Sequence, residues 1–238
     1  MSLPKLNEEI NYMNVKVPSG KTIGVRGWKV KDEKELLFTL ECDENPDENK
    51  PKLIINFLKQ CCDDKTKFDS LAENDIMKIA VEIRKLSKGD TIEYNYACDS
   101  CNNKFFDTVN LTKNLEVKSF DESPIKLNDN LMVTLKSVTW KDTEKLYNEF
   151  KDTPSKYQYK WIMNSIDSIT YNGKTYTEFT PEEVEEWFDE LKSNDLANLY
   201  QEFESKLSKV DLVRKLKCLK CKADIEVNFG DLLSFLVL

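Results

Sequence analysis

Two Cys-x-x-Cys pairs, Cys98-Asp-Ser-Cys101 and Cys218-Leu-Lys-Cys221, lie 120 residues apart and constrain this chain more than any other feature. Each pair sits between two strand-like runs. Thr91-Ile-Glu-Tyr-Asn-Tyr96 precedes the first pair and Phe105-Phe106-Asp107-Thr108-Val109-Asn110-Leu111 follows it. Val210-Asp-Leu-Val-Arg-Lys-Leu216 precedes the second and Ile225-Glu-Val-Asn-Phe229 follows it. Val-Asn-Leu and Val-Asn-Phe recur with seven and five residues between them and the second cysteine. That even difference keeps each side chain on the same face of its strand.

Two cysteines separated by two residues in a tight turn place both sulfurs on one metal ion. A structural zinc takes four such ligands in a tetrahedron, so each pair needs the other. The 116 residues between the pairs far exceed the gap of a compact zinc module. They read as an inserted domain whose two ends are clamped together. The expected cofactor is therefore one structural zinc on Cys98, Cys101, Cys218 and Cys221. Lys104, Lys217, Lys220 and Lys222 stand beside the cysteines and could offset the negative charge of a four-thiolate site. Three other readings compete: a redox motif, which normally opens a helix rather than joining strands; disulfides, for which nothing marks the chain as secreted; and chance.

Composition narrows the function. The chain has 238 residues, enough for one large domain or two small ones. It is 40% hydrophobic and 33% charged, with 12 Phe, 9 Tyr and 4 Trp, a globular composition that can bury a core. Its net charge of −8 disfavours nucleic acid as a partner, since nucleic-acid binders show a basic excess. No apolar run is long enough to span a bilayer, and Met1-Ser-Leu-Pro-Lys-Leu-Asn-Glu-Glu9 has no signal-peptide core. Seven cysteines, an odd number, suit a reducing compartment, so cytoplasmic folding is expected. There is no histidine at all, which removes every His-based triad, base and metal ligand. No catalytic constellation and no small-molecule site assemble from what remains.

Along the chain, Tyr12–Val17 and Thr22–Val30 read as two strands joined at Pro18-Ser-Gly-Lys21, the second weakened by Gly24 and Gly27. Asp32 stands where it could cap a helix running from Glu33 to about Cys42, with Leu36, Leu37 and Leu40 as its stripe. A second helix spans Pro51 to Cys61, with Ile54, Ile55, Leu58 and Cys61 or Cys62 on one side. A third runs from Asn74 to Leu86, with Ile76, Ile79, Ala80, Ile83 and Leu86 at helical spacing, and Gly89 stops it. Residues 115–139 are strand-rich, with Leu131–Val138 the clearest strand. Residues 140–168 turn helical. Asn172-Gly173 suits the type I′ turn of a hairpin over Ile169–Phe179. Thr180-Pro181-Glu-Glu183 carries a cap, a first-turn proline and a capping-box glutamate, opening a helix to about Leu191 that another follows to about Leu207.

The expected fold class is α+β: helical blocks with short antiparallel sheets and a four-cysteine zinc ribbon formed by two distant half-sites. The expected organisation is an N-terminal α+β region over 1–118 ending in the first half-ribbon, a mostly helical insertion with a hairpin over 119–209, and a second half-ribbon with an apolar tail over 210–238. Other conspicuous residues have simple explanations. Cys42, Cys61 and Cys62 read as core packing. The acidic clusters Glu182-Glu183-Val-Glu185-Glu186 and Asp63-Asp64 read as solvated helix starts. Pro18-Ser-Gly-Lys21 lacks the spacing and following helix of a phosphate loop.

Several stretches together resemble a known family. They are Leu3-Pro-Lys-Leu6, Val17-Pro-Ser-Gly-Lys21, Arg26 two residues before the aromatic Trp28, Val30-Lys-Asp-Glu-Lys-Glu-Leu-Leu37, and Ile83-Arg-Lys-Leu-Ser-Lys-Gly89 followed by Ile92-Glu93 and the first Cys-x-x-Cys. The pattern is similar to that of the baseplate hub or hub-assembly proteins of T-even-type contractile-tailed bacteriophages, best over about the first 120 residues. Gly27-Trp28 stands where the family pattern has a Pro-Phe pair. The resemblance implies a non-enzymatic tail protein that binds other tail and baseplate hub proteins, present in the host cytoplasm during assembly and afterwards either kept in the virion tail or, as in members that act only during hub assembly, released. A zinc-ribbon nucleic-acid-binding protein is the alternative. Two surfaces are candidates for partner contact: the aliphatic tail Leu232–Leu238 and the helical block bearing Trp161 and Trp187.

Overall fold

The computed structural model describes residues 10–43, 46–114, 120–206, 213–228 and 235–236. Helices and short antiparallel sheets alternate through them, an α+β fold. The chain forms two units. The first contains the described residues of 1–68, 76–116 and 210–238, and the second those of 69–75 and 117–209.

The first unit opens with the hairpin β1 (Met13–Lys16) and β2 (Thr22–Val25), in which Val15 opposes Ile23 and both side chains are buried. β2 stops at Val25 instead of running to Val30. There the Arg26 amide leaves the ladder to donate to the Cys61 carbonyl at 2.9 Å. Helix α1 (Val30–Cys42) then begins two residues ahead of the expected Asp32 cap. Asp32 occupies the third helical position, and its carboxylate reaches back to accept from the Lys29 amide at 2.8 Å, which is the glutamate half of a capping box made with an aspartate. Helix α2 (Pro46–Gln60) starts ahead of Pro51, whose missing amide removes one bond from the ladder near the helix start without ending it. The apolar side assigned to α2 is buried throughout, at Ile54, Ile55, Leu58 and both Cys61 and Cys62. A one-turn helix, α3 (Lys65–Asp69), is too short to show a period. Its signal is local: the Asp64 carboxylate accepts from the Lys67 amide at 2.8 Å.

Helix α4 (Glu73–Lys88) buries Ile76, Ile79, Ala80 and Ile83, while Leu86 in its last turn stays 44% exposed. The Gly89 amide closes it on the Lys85 carbonyl at 3.0 Å. Strands β3 (Thr91–Ala97) and β4 (Lys104–Asn110) form the next hairpin, followed by the single turn α5 (Leu111–Asn114). A second ribbon returns much later in the chain, and the far C-terminal residues Phe235 and Leu236 are fully buried. The remainder of the Leu232–Leu238 tail lies outside the described residues.

The second unit is a four-stranded antiparallel sheet in the order β5 (Ile125–Asn128), β6 (Leu131–Leu135), β7 (Ile166–Tyr171), β8 (Lys174–Tyr176). Helices α6 (Trp140–Phe150) and α7 (Pro154–Ser165) separate β6 from β7, and α8 (Pro181–Asp189) and α9 (Ser193–Lys206) follow β8. β6 alternates as a half-buried strand should: Leu131, Val133 and Leu135 are buried, and Met132 is 40% exposed. It ends at Leu135, short of Val138. The helical stretch ends at Ser165, because Ile166 and Ile169 pair with β6 and enter the core. Asn172 (φ 50°) and Gly173 (φ 78°) make the expected left-handed turn between β7 and β8. Thr180 and Glu183 form the expected capping box, with Glu183 N donating to Thr180 Oγ1 at 3.2 Å and Thr180 N to Glu183 Oε2 at 2.7 Å. Sheet and helices bury Val184, Phe188, Leu199 and Phe203 together, each worth roughly 1.5–3 kcal/mol of apolar burial.

Candidate metal centre

The two Cys-x-x-Cys pairs sit in turns with the same backbone hydrogen bonds. In the β3–β4 turn, Cys98 N donates to Asn103 O at 3.0 Å and Asn102 N to Cys98 O at 2.7 Å. The second ribbon, β9 (Val213–Lys217) and β10 (Asp224–Asn228), repeats this: Cys218 N donates to Ala223 O at 2.8 Å and Lys222 N to Cys218 O at 2.9 Å. The residue after the second cysteine is left-handed in both, Asn102 at φ 52° and Lys222 at φ 63°. Asn102 announces that conformation by its type, since asparagine tolerates it; Lys222 carries no such signal. Both pairs are flanked by antiparallel strands and neither opens a helix, unlike a redox Cys-x-x-Cys.

Tertiary structure brings the four sulfurs together. All lie within 4.8 Å of one another. Cys98 Sγ stands 3.6 Å from Cys221 Sγ, and Cys101 Sγ 3.7 Å from Cys218 Sγ. Each close contact therefore joins one pair to the other. These separations far exceed a disulfide bond of about 2.05 Å, and all the cysteines of the cluster are free. Cys98 and Cys218, the first of each pair, are buried; Cys101 is half-buried and Cys221 exposed. Among the described residues only these four sulfur donors meet here, an arrangement compatible with a metal site.

The protonation of the cluster is uneven. Burial pushes the Cys218 thiol up, but the backbone N–H groups of Cys221 and Lys220, with the Cys221 and Cys101 thiols, outweigh it and bring it to about 6. At Cys221 the Ala223 amide pulls downward, but Cys218, desolvation and the Cys101 and Cys98 thiols push it to about 12. One thiolate thus forms readily and opposes the next. Of the neighbouring lysines, Lys217 is in an ion pair with Asp224 at 2.9 Å.

The remaining cysteines stand apart. Cys61 and Cys62 are buried, as core packing requires, and burial pushes their thiols to about 11 and about 12, which leaves them protonated and inert. Cys42, in contrast, is exposed at the end of α1, so core packing does not account for it. Glu183 belongs to a helix cap, and Glu185 forms an ion pair with Lys160 at 2.7 Å. Asp64 caps α3, but Asp63 ties strand β2 by accepting from the Gly24 amide at 3.0 Å. Trp161 is half-buried and packs edge-on against the core residue Phe203 at 5.0 Å between ring centres. No helix among the described residues is long and apolar enough to cross a membrane.

A family model described as "T4 bacteriophage base plate protein" matches residues 10–237, well beyond the first 120 residues that carry the resemblance by eye. No curated protein and no solved structure matches the chain. With nearly its whole length matched, including both cysteine pairs, this chain belongs to the T4-type bacteriophage base plate protein family.

Proposed function

We propose that this protein is a non-enzymatic structural or assembly component of the phage tail baseplate hub, held together by one structural zinc and acting through contacts with other tail proteins. The observation that carries the zinc is the meeting of Cys98, Cys101, Cys218 and Cys221, with sulfurs 3.6 and 3.7 Å apart between the pairs. Four sulfurs each about 2.3 Å from a zinc ion stand about 3.8 Å apart along the edges of a regular tetrahedron. A set of four cysteines leaves no coordination position for substrate, which favours a structural over a catalytic metal. In this reading the zinc joins the half-ribbon that ends region 1–118 to the one that begins region 210–238, and residues 119–209 are the insertion it closes. The family supports the place of action, a phage base plate.

Two measurements test this. Elemental analysis of the purified chain should find about one zinc per molecule, lost in Cys98→Ser or Cys218→Ser. Zinc-free wild-type protein that is fully folded would overturn the clamp. Mass spectrometry of hub intermediates isolated from infected cells, and separately of mature virions, should find the chain in the first; its presence in the second makes it a virion component as well. Absence from both would overturn the hub role.

A further inference from the structure

The second unit holds a cavity of about 800 Å³ between the open end of its sheet and helix α8, within the size range of ligand-binding clefts. Its floor is apolar, made by Leu131, Ile169 and Val184, each at most 7% exposed. Its walls are aromatic: Trp187 from α8, with Tyr171 and Tyr176, which are 51% and 43% exposed. Its rim is acidic. Glu178, Glu183, Glu190 and Asp195 line it, against the single lysine Lys192.

This distribution favours one kind of occupant. The apolar floor favours hydrophobic side chains, which gain from leaving water. Four carboxylates against the ammonium groups of Lys192 and of Lys174, which stands over Tyr176, leave a net negative rim that repels an acidic segment and attracts a basic one. The aromatic walls favour cations over their faces. One cation already uses them, since the Lys174 ammonium stands 4.7 Å from the centre of the Tyr176 ring. We infer that this cleft docks a lysine- or arginine-bearing peptide segment of a partner protein, with apolar side chains on the floor and cationic ones at the rim. The inference names a surface for the proposed partner contacts. Every lining residue belongs to the second unit, whereas the four cysteines belong to the first.

The test is fluorescence anisotropy with the full-length protein and a fluorescein-labelled heptapeptide, Leu-Phe-Leu flanked on each side by two lysines. The protein should bind it at least tenfold more tightly than the same peptide with glutamates for lysines. It should also bind at least tenfold more tightly than one with serines for Leu-Phe-Leu. Glu178→Lys with Glu190→Lys, both surface changes, should weaken binding of the lysine peptide at least tenfold with an unchanged melting temperature. Should that variant misfold, Glu178→Gln with Glu190→Gln gives the same comparison without new charges, with a smaller loss. No binding, equal binding of the serine peptide, or wild-type binding by a folded variant would each overturn the cleft as a docking site. None of these outcomes touches the zinc content or the presence of the chain in hub intermediates.

Discussion

Arg84 Nε donates to the backbone carbonyl of Phe235 at 2.9 Å, joining residues 151 positions apart, and both side chains are almost fully buried. The guanidinium also stands 5.7 Å from the centre of the Phe235 ring and donates to the Gly89 carbonyl at 3.3 Å. Burial pulls its pKa down, but arginine stays charged. A charge in this position costs desolvation, so the carbonyls around it are structurally necessary.

At Phe235 and Leu236 the tail is therefore core. Phe235→Ala should cost about 3–5 kcal/mol through the cavity it leaves. Arg84→Met should cost about 1–3 kcal/mol by stranding the Phe235 carbonyl. Truncation after Gly230 should destabilise by at least as much as Phe235→Ala. Urea titration of the three variants checks this, and a truncated chain as stable as the full one would remove the tail from the core.

Stability should depend on the cysteine cluster. Closing a loop of more than a hundred residues costs on the order of 4–5 kcal/mol of chain entropy. A structural zinc site is worth on the order of 10–16 kcal/mol, more than enough to hold it closed. Cys218→Ser, or a strong chelator, should lower the melting temperature sharply and expose the second ribbon to protease. Acid should do the same, because protons compete with the metal for thiolates. An unchanged melting curve after chelation argues against the clamp.

Arg26 and Asp32 form an ion pair of 2.8 Å, with side chains 13% and 5% exposed. Burial pushes the Asp32 carboxyl up, but the Arg26 guanidinium and the Lys29 amide outweigh it and hold the pKa below its usual value. A depressed folded-state pKa contributes stability above the unfolded value of about 3.9, lost as pH falls through the folded value. Asp32→Asn should cost about 1–3 kcal/mol at neutral pH, since it takes the charged acceptor from a partly buried guanidinium and leaves it the Gly27 and Gln60 carbonyls. It should also flatten the acid limb of the stability profile. Denaturant titrations at pH 7 and pH 3 read both effects.

Gly24 lies against Asp63. A Cβ there would stand 2.7 Å from Asp63 Cγ, inside van der Waals contact. Gly24→Ala should destabilise by about 1–3 kcal/mol. On an Asp63→Ala background the same change should cost clearly less, because the obstructing carboxylate is gone. A double-mutant cycle measures the coupling, and equal costs on both backgrounds would refute the contact.

The sequence by itself determined what is local and periodic. The Ile76, Ile79, Ala80, Ile83 spacing marks α4, the Asn172-Gly173 pair marks its turn, and the Thr180–Glu183 box marks the start of α8. Each is encoded within a few neighbouring residues, and backbone geometry allows few other outcomes. Cys-x-x-Cys between strands likewise singled out the four cysteines. Only the tertiary structure decided what depends on distant partners. It brings the four sulfurs within 4.8 Å across more than a hundred residues. It ends β2 at Val25, because the Arg26 amide has the Cys61 carbonyl within reach. It converts Asp63 from an apparent helix-start charge into a strand tie and packs the half-buried Trp161 against Phe203. It also assembles an acidic, aromatic-walled cleft, bringing Trp187, which stands out by type alone, beside Tyr171, Tyr176 and an acidic rim. Local hydrogen bonds and side-chain periods are written in adjacent residues, whereas long-range contacts follow only when the chain collapses and buries one stretch against another.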